Sequence, residues 1–420
     1  MLFSGVILGY VIPRQQRATR EKAAIESIAQ KSLPYHRPVF SYDYQMDERT
    51  GRVGGIHATN PTPKWIQPLL GEHTFSTIVK VHVAPLALIK GNSRNRVDDY
   101  ADELESLENL ETLEVSGWRN DWDNLQPIGK LKRLRNLVLN LGAGLESTEG
   151  VEEFESLESL ELKGSDVVSA ESIASLTGLR RLLLIDCRKL KSLDFLSKLS
   201  TLETLKIEKP PKQSSFDIEL VSKNRQLQEL RLSGFDFLEN PQRITDLSEL
   251  QSLEVLDCQS FDSETLFSNA TSVKRLSLVF CHSLQSMSGI ESLDKLEIVS
   301  VSLCKQLLDL EALASLKGLE QLTLNGLEIE RLPRLASLPN LETLEIHGLF
   351  NIQNLDELAE LNAPKLTIIR ISDCLKLKSI DGLTAIKSLK GITFLRCPFV
   401  GSEQIQKLKE ALPNANVNVL

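Results

Sequence analysis

The side chains with most chemistry to offer are six cysteines: Cys187, Cys258, Cys281, Cys304, Cys374 and Cys397. An even set of thiols raises disulfide pairing or a thiolate metal centre, and spacing decides between them and a plainer role. Cys258, Cys281 and Cys304 follow one another at intervals of 23 residues, as do Cys374 and Cys397. No C-x-x-C pair is present, and His282, next to Cys281, points elsewhere at a strand exit. A stack of three thiols also lacks a fourth ligand and a charged outer shell for zinc. The chain has no P-loop, no G-x-S-x-G and no H-E-x-x-H, so neither a catalytic residue, nor a cofactor, nor a metal is expected.

What places the cysteines is a repeat. From Leu276, apolar residues fall at offsets 0, 2, 5, 8, 11, 14, 17 and 20, and the same offsets recur from Val299, with Leu322 opening a third copy. A step of two followed by steps of three fits neither a long strand nor a long helix. It fits a short strand, a turn and a loose or 3₁₀-like return arc with one inward residue at each bend. Strand starts then run Leu113, Leu137, Leu160, Leu182, Leu205, Leu230, Leu253, Leu276, Val299, Leu322, Leu344, Ile369, Ile392 and Val417, at intervals of 22 to 25 residues. Every cysteine lies five residues after its strand start, so all six share one inward address and pack as small hydrophobes.

The unit resembles the leucine-rich repeat, L-x-x-L-x-L-x-x-N/C-x-L. That resemblance implies an α/β solenoid, a right-handed superhelix with a parallel concave β-sheet and short helical or 3₁₀ convex arcs. Two repeats depart from the frame: Pro210 stands at the cysteine address of the Leu205 unit, and Glu264 at an apolar offset of the Leu253 unit.

At 420 residues the length counts repeats rather than domains, and 41% hydrophobic with 5% aromatic residues fits an aliphatic core. A net charge of -9 argues against nucleic acid as the partner, because phosphate binding needs clustered cations. Residues 1–13 open with the uncharged MLFSGVILGYVI, an apolar segment read as a possible truncated membrane anchor. Residues 14–35 carry Arg14, Arg17, Arg20, Lys22 and Lys31 and read as a basic helical stalk; 36–103 form an N-terminal cap region, 104–400 the repeats, and 401–420 a C-terminal cap. Tyr42, Tyr44 and Trp65 are expected under the cap, residues 90–102 as a surface excursion, and Ser402 as the N-cap of a closing helix. The order of apolar segment, basic helix, Val39 to Gln45 (VFSYDYQ), Pro61 to Gly71 (PTPKWIQPLLG) and repeats resembles a bacterial membrane-anchored, internalin-like leucine-rich-repeat family. The resemblance implies tethering of the N-terminus and an extracytoplasmic array.

Function must lie in residues between the inward ones. On the concave face these include Lys206, Arg231, Glu254, Ser300, Thr323, Glu345 and Arg370, with Val279, Asn325 and His347 in the row two residues on. Mixed polarity with a few apolar residues suits a protein or peptide partner. The expectation is a non-catalytic, monomeric scaffold; the alternative is a soluble cytoplasmic repeat protein that docks on an enzyme.

Overall fold

In each repeat the two apolar strand residues sit two apart, so they leave the backbone on the same side of the strand. Burying that side and pairing the backbone with the next repeat produces a stacked solenoid. The computed structural model describes residues 11–31, 39–45, 76–83, 98–116, 123–140, 145–211 and 214–420, with positions 60, 62, 64, 67 and 73. The chain forms two compact units, Met1–Leu202 and Glu203–Leu420.

In the first unit, helix α1 (Ile12–Lys31) precedes β1 (Val39–Tyr42), which pairs antiparallel with β2 (Ile78–Val83). Helix α2 (Asp98–Glu105) leads into β3 (Thr112–Ser116), β4 (Asn136–Asn140), β5 (Ser159–Lys163) and β6 (Arg181–Ile185), all parallel from β2 onward. Residues 98–102 of the expected surface excursion are thus the start of a helix whose Leu104 is buried. Tyr42 stacks on His73 with ring centroids 3.9 Å apart; Trp65 and the Tyr44 side chain lie outside the described residues, as do residues 1–10.

Helix α1 is not a free stalk but packs on the unit. Ala24 and Ile28 are buried, Ser27 Oγ donates to Glu103 Oε1 at 2.7 Å, and Arg17 Nη2 donates to the Ser76 carbonyl at 2.8 Å. Among the described residues no helix is long and apolar enough to cross a membrane. Glu21 is also buried under α1, accepting from Thr77 Oγ1 at 2.7 Å and facing Arg17 at 3.5 Å. Burial pushes its carboxyl above the ordinary value of 4.5, and the Asp43 charge adds to this, against the pull of Thr77, Arg17 and the Ile78 backbone. Folded Glu21 therefore holds its proton more tightly than unfolded Glu21, so docking of α1 is firmest below 4.5 and weakens as pH rises through the raised value. Amide exchange of α1, corrected for intrinsic rates, should show protection falling as pH rises above 4.5, and Glu21→Gln should flatten that slope. A flat wild-type profile would refute it.

In the second unit the main sheet is parallel and in register through β7 (Thr204–Glu208), β9 (Glu229–Ser233), β11 (Ser252–Leu256), β13 (Arg275–Val279), β14 (Ile298–Ser302), β15 (Gln321–Asn325), β16 (Thr343–His347), β17 (Ile368–Ser372), β18 (Gly391–Leu395) and β19 (Asn416–Val419). Each expected strand start is the second residue of its strand, and both apolar strand residues are buried from β3 to β18. Return arcs are short 3₁₀ turns such as Glu311–Ser315, Asp356–Glu360 and Asp381–Ala385, each with one buried inward leucine at Leu313, Leu358 and Leu383.

Both irregular repeats have a local cause. After Pro210 and Pro211 the chain runs into β8 (Ser215–Asp217), which joins β10 (Phe237–Glu239) and β12 (Ser260–Phe261) in a small parallel side sheet. Phe216 and Phe235 are buried beneath it with centroids 5.4 Å apart. In the Leu253 repeat the arc is an α-helix, α3 (Ser263–Asn269), capped by Asp262, which accepts from the Thr265 N–H at 3.0 Å. That helix turns Leu266 and Phe267 inward, so Glu264 at the apolar offset is simply exposed. At the far end α4 (Ser402–Ala411) buries Leu408, but its cap position is Gly401 and no side chain caps it.

Candidate functional site

Strand ends fix the cysteine address. From β5 to β18 the residue after each main-sheet strand adopts a left-handed conformation: Gly164 (φ 61°), Asp186 (59°), Phe280 (54°), Leu303 (57°) and Asp373 (56°) are examples. Its N–H then reaches the next repeat, as Gly164 does to Ile185 O at 2.8 Å, Leu303 to Asn325 O at 2.7 Å and Asp373 to Leu395 O at 2.9 Å. That left-handed step turns the chain inward, so the following residue, the cysteine, points into the core. All six cysteines are free; five are buried and Cys397 is partly exposed. Burial pushes the Cys258 thiol up to about 12. Among the described residues no three His, Cys, Asp or Glu side chains converge as a metal site.

The open face of the second unit's sheet carries the residues that sequence singled out. Register aligns Lys206, Arg231, Glu254, Ser277, Ser300, Thr323, Glu345 and Arg370 in one row and Glu208, Ser233, Leu256, Val279, Ser302, Asn325, His347 and Ser372 in the next. Neighbours in a row are about 4.8 Å apart. Most are half-buried, because the sheet crowds them from both sides.

Register sorts the charges into two groups. At one end Arg231 pairs with Glu208 at 2.9 Å and Glu254 at 3.0 Å, and Lys206 with Glu229 at 3.3 Å. At the other end Arg370 meets Glu345 at 2.5 Å, His347 Nε2 lies 3.6 Å from Glu345, and His347 Nδ1 is 2.9 Å from Ser372 Oγ. Burial pushes the Glu345 carboxyl up, but the Arg370 and His347 contacts outweigh it and hold it below the ordinary range. Between the two groups, rows on β13, β14 and β15 present Ser277, Ser300, Thr323, Val279, Ser302 and Asn325, none of them charged.

Register places Lys206, Arg231, Glu254, Val279, Ser300, Thr323, Asn325, Glu345, His347 and Arg370, the residues expected from sequence to meet a partner, along one face of the sheet. Sequence reasoning missed Glu229, Ser302 and Ser372, although writing the repeats in register would have found them. Ser372, His347 and Glu345 have the residue types of a nucleophile relay. Strand N–H groups of β16 and β17 that pair in the ladder lie in the sheet plane, directed along the sheet rather than towards these side chains. What the arrangement does is lock the imidazole and the carboxylate in place.

No family model matches the sequence, and no curated protein matches it. Among solved structures the chain is similar to a leucine-rich-repeat protein of Leptospira interrogans, at 19% identity and a TM-score of 0.53, covering 86% of this chain and 93% of that one. It is likewise similar to an internalin from Listeria monocytogenes, at 14% identity and a TM-score of 0.52, covering 81% of this chain and 86% of that one. Together with the parallel in-register sheets and 3₁₀ arcs, these likenesses show the fold as a leucine-rich-repeat solenoid.

Proposed function

We propose that this chain is a binding scaffold which holds a protein or peptide segment on the open sheet face of its second unit, over the two uncharged rows of β13 to β15 that run beside Arg275. One observation carries the reading: the charges on either side are consumed in pairs, whereas Ser277, Ser300, Val279 and Ser302 form an uncharged, half-buried strip. A partner reaching Arg231 or Arg370 must break an existing ion pair, but one lying on the lane displaces only water. Hydroxyls beside apolar methyls suit a polypeptide's mix of amide and side-chain groups. The acidic balance of -9 supports a protein rather than a polyanion, and the partner is bound by one copy of the chain.

The test is a peptide display library selected on the full chain and counter-screened on a Ser277→Arg, Ser300→Arg double variant. Selected peptides should lose at least about tenfold in affinity on the variant, close to 1.4 kcal/mol, while its thermal midpoint stays near that of the wild type. Equal binding to both proteins places recognition elsewhere. Tethering through residues 1–13 rests on their apolar composition and on the resemblance in motif order. Recovery of the full chain in the soluble fraction of disrupted cells removes that part of the reading.

A further inference from the structure

The cysteine ladder puts thiols of successive repeats side by side in the stack of Cys258, Cys281 and Cys304 and in the pair of Cys374 and Cys397. All three thiols of the stack are buried, which closes them to reagents. The pair differs, because Cys397 is partly exposed while Cys374 is buried.

Geometry brings the two sulfurs of this pair together. Strands β17 and β18 pair Ser372 with Leu395, and each cysteine follows two residues later, so their backbones stand about one strand spacing apart, ~4.8 Å. That lies within the Cα separations a disulfide spans, about 4.4 to 6.8 Å. Cys374 Sγ lies 3.5 Å from Ser372 O, and Cys397 Sγ lies 3.9 Å from Ile371 O as well as 3.6 Å from Leu395 O. Both sulfurs therefore hang over consecutive carbonyls of β17. Contact with Cys374 holds the Cys397 thiol below its ordinary value of 9.0, against the opposing effects of burial and of Asp373. The neighbouring Arg396 is spent on Asp373, with a contact of 2.5 Å.

We propose that Cys374 and Cys397 are an oxidisable dithiol, in which Cys397 is the point of attack and Cys374 the resolving thiol. The Cys397 thiolate attacks a small-molecule disulfide; its S–S bond breaks, one thiolate leaves and takes up a proton, and a mixed disulfide forms on Cys397. The Cys374 thiol gives up its proton and attacks the Cys397 sulfur, expelling the second small thiol. The two cysteines lose two electrons and two protons, and the small disulfide is reduced to two thiols. The new bond staples the repeats of β17 and β18, so oxidation slows fraying of the C-terminal repeats.

The test incubates the native full chain with oxidised glutathione and then counts free thiols, maps linked peptides and measures amide exchange. The expected result is loss of two of the six thiols, one linkage between Cys374 and Cys397 without retained glutathione, and slower exchange in β17 and β18. Cys374→Ser should stop at a single glutathione adduct on Cys397, and Cys397→Ser should leave all its remaining thiols free. Six free thiols in the treated native protein, a lasting adduct in the wild type, or a linkage elsewhere would overturn the proposal. The wild-type thiol count does not depend on either variant folding.

Discussion

Leu296→Asp should unfold the repeats around β13, β14 and β15 together, whereas Ser300→Asp, four residues later, should leave the fold intact. Leu296 is fully buried at the last inward position of its repeat, just before β14. Truncating such a leucine removes about 2 to 5 kcal/mol through lost burial and a cavity. Placing a carboxylate there adds an unpaired charge with no partner in an aliphatic layer, so the total exceeds the stability that one repeat receives from its neighbours. Neighbouring layers lose their lid on one side and follow, because each repeat in a solenoid is completed by the next. Ser300 is half-buried on the open face, between Ser277 and Thr323, and an aspartate there keeps contact with water. Its expected effect is within about 1 kcal/mol. Urea unfolding followed by circular dichroism, with amide exchange to locate the damage, separates the two. Equal destabilisation by both would break the inward and outward assignment on which the open-face site depends.

The same alternation explains how much was readable beforehand. Strand starts from Leu113 to Ile392 were legible because one residue type, at a spacing of two inside a frame of 22 to 25, is forced by burial on a single side. Cysteines were legible as packing residues for the same reason. Elements that depend on tertiary pairing were not. Strands β8, β10 and β12 are two or three residues long, too short for periodicity, and exist because Pro210 and Pro211 divert the chain and Phe216 with Leu238 finds cover. Helix α3 replaced a 3₁₀ arc on the strength of Asp262 as a cap, a local signal beneath an otherwise regular offset pattern. The docking of α1 was not legible either, because Glu21 is buried only where the fold brings Thr77 beside it, 56 residues away in sequence. On the open face, residue types were legible but their sorting was not. Arg231 draws on Glu208 and Glu254, each 23 residues away, and that pairing makes the lane between the charge groups distinct.

Gly382→Val should be the most damaging change on the return side of the second unit, although it adds only aliphatic atoms to an aliphatic protein. Gly382 is buried in the turn Asp381–Ala385, which stacks on the preceding turn Asp356–Glu360. A Cβ there would fall inside the Leu355 carbonyl oxygen, with the Leu355 carbonyl carbon at 2.8 Å and Asp356 Cα at 3.2 Å. These are main-chain atoms, so no rotamer change relieves the overlap. One arc must shift against the other, and the inward Leu358 and Leu383 shift with it. Overpacking of this kind costs about 3 kcal/mol or more, and the γ-methyls of valine deepen it. Gly391, in the same repeat, is the control, since nothing lies within 4 Å of a Cβ placed there. Gly391→Ala should be neutral or slightly stabilising, as it restricts the unfolded chain without a clash. Thermal melts of both variants decide the point. If Gly382→Val melts with Gly391→Ala, the arcs are not stacked this closely, and the packing that aligns β16, β17 and β18 under His347, Arg370 and Leu395 must be looser than the structure shows.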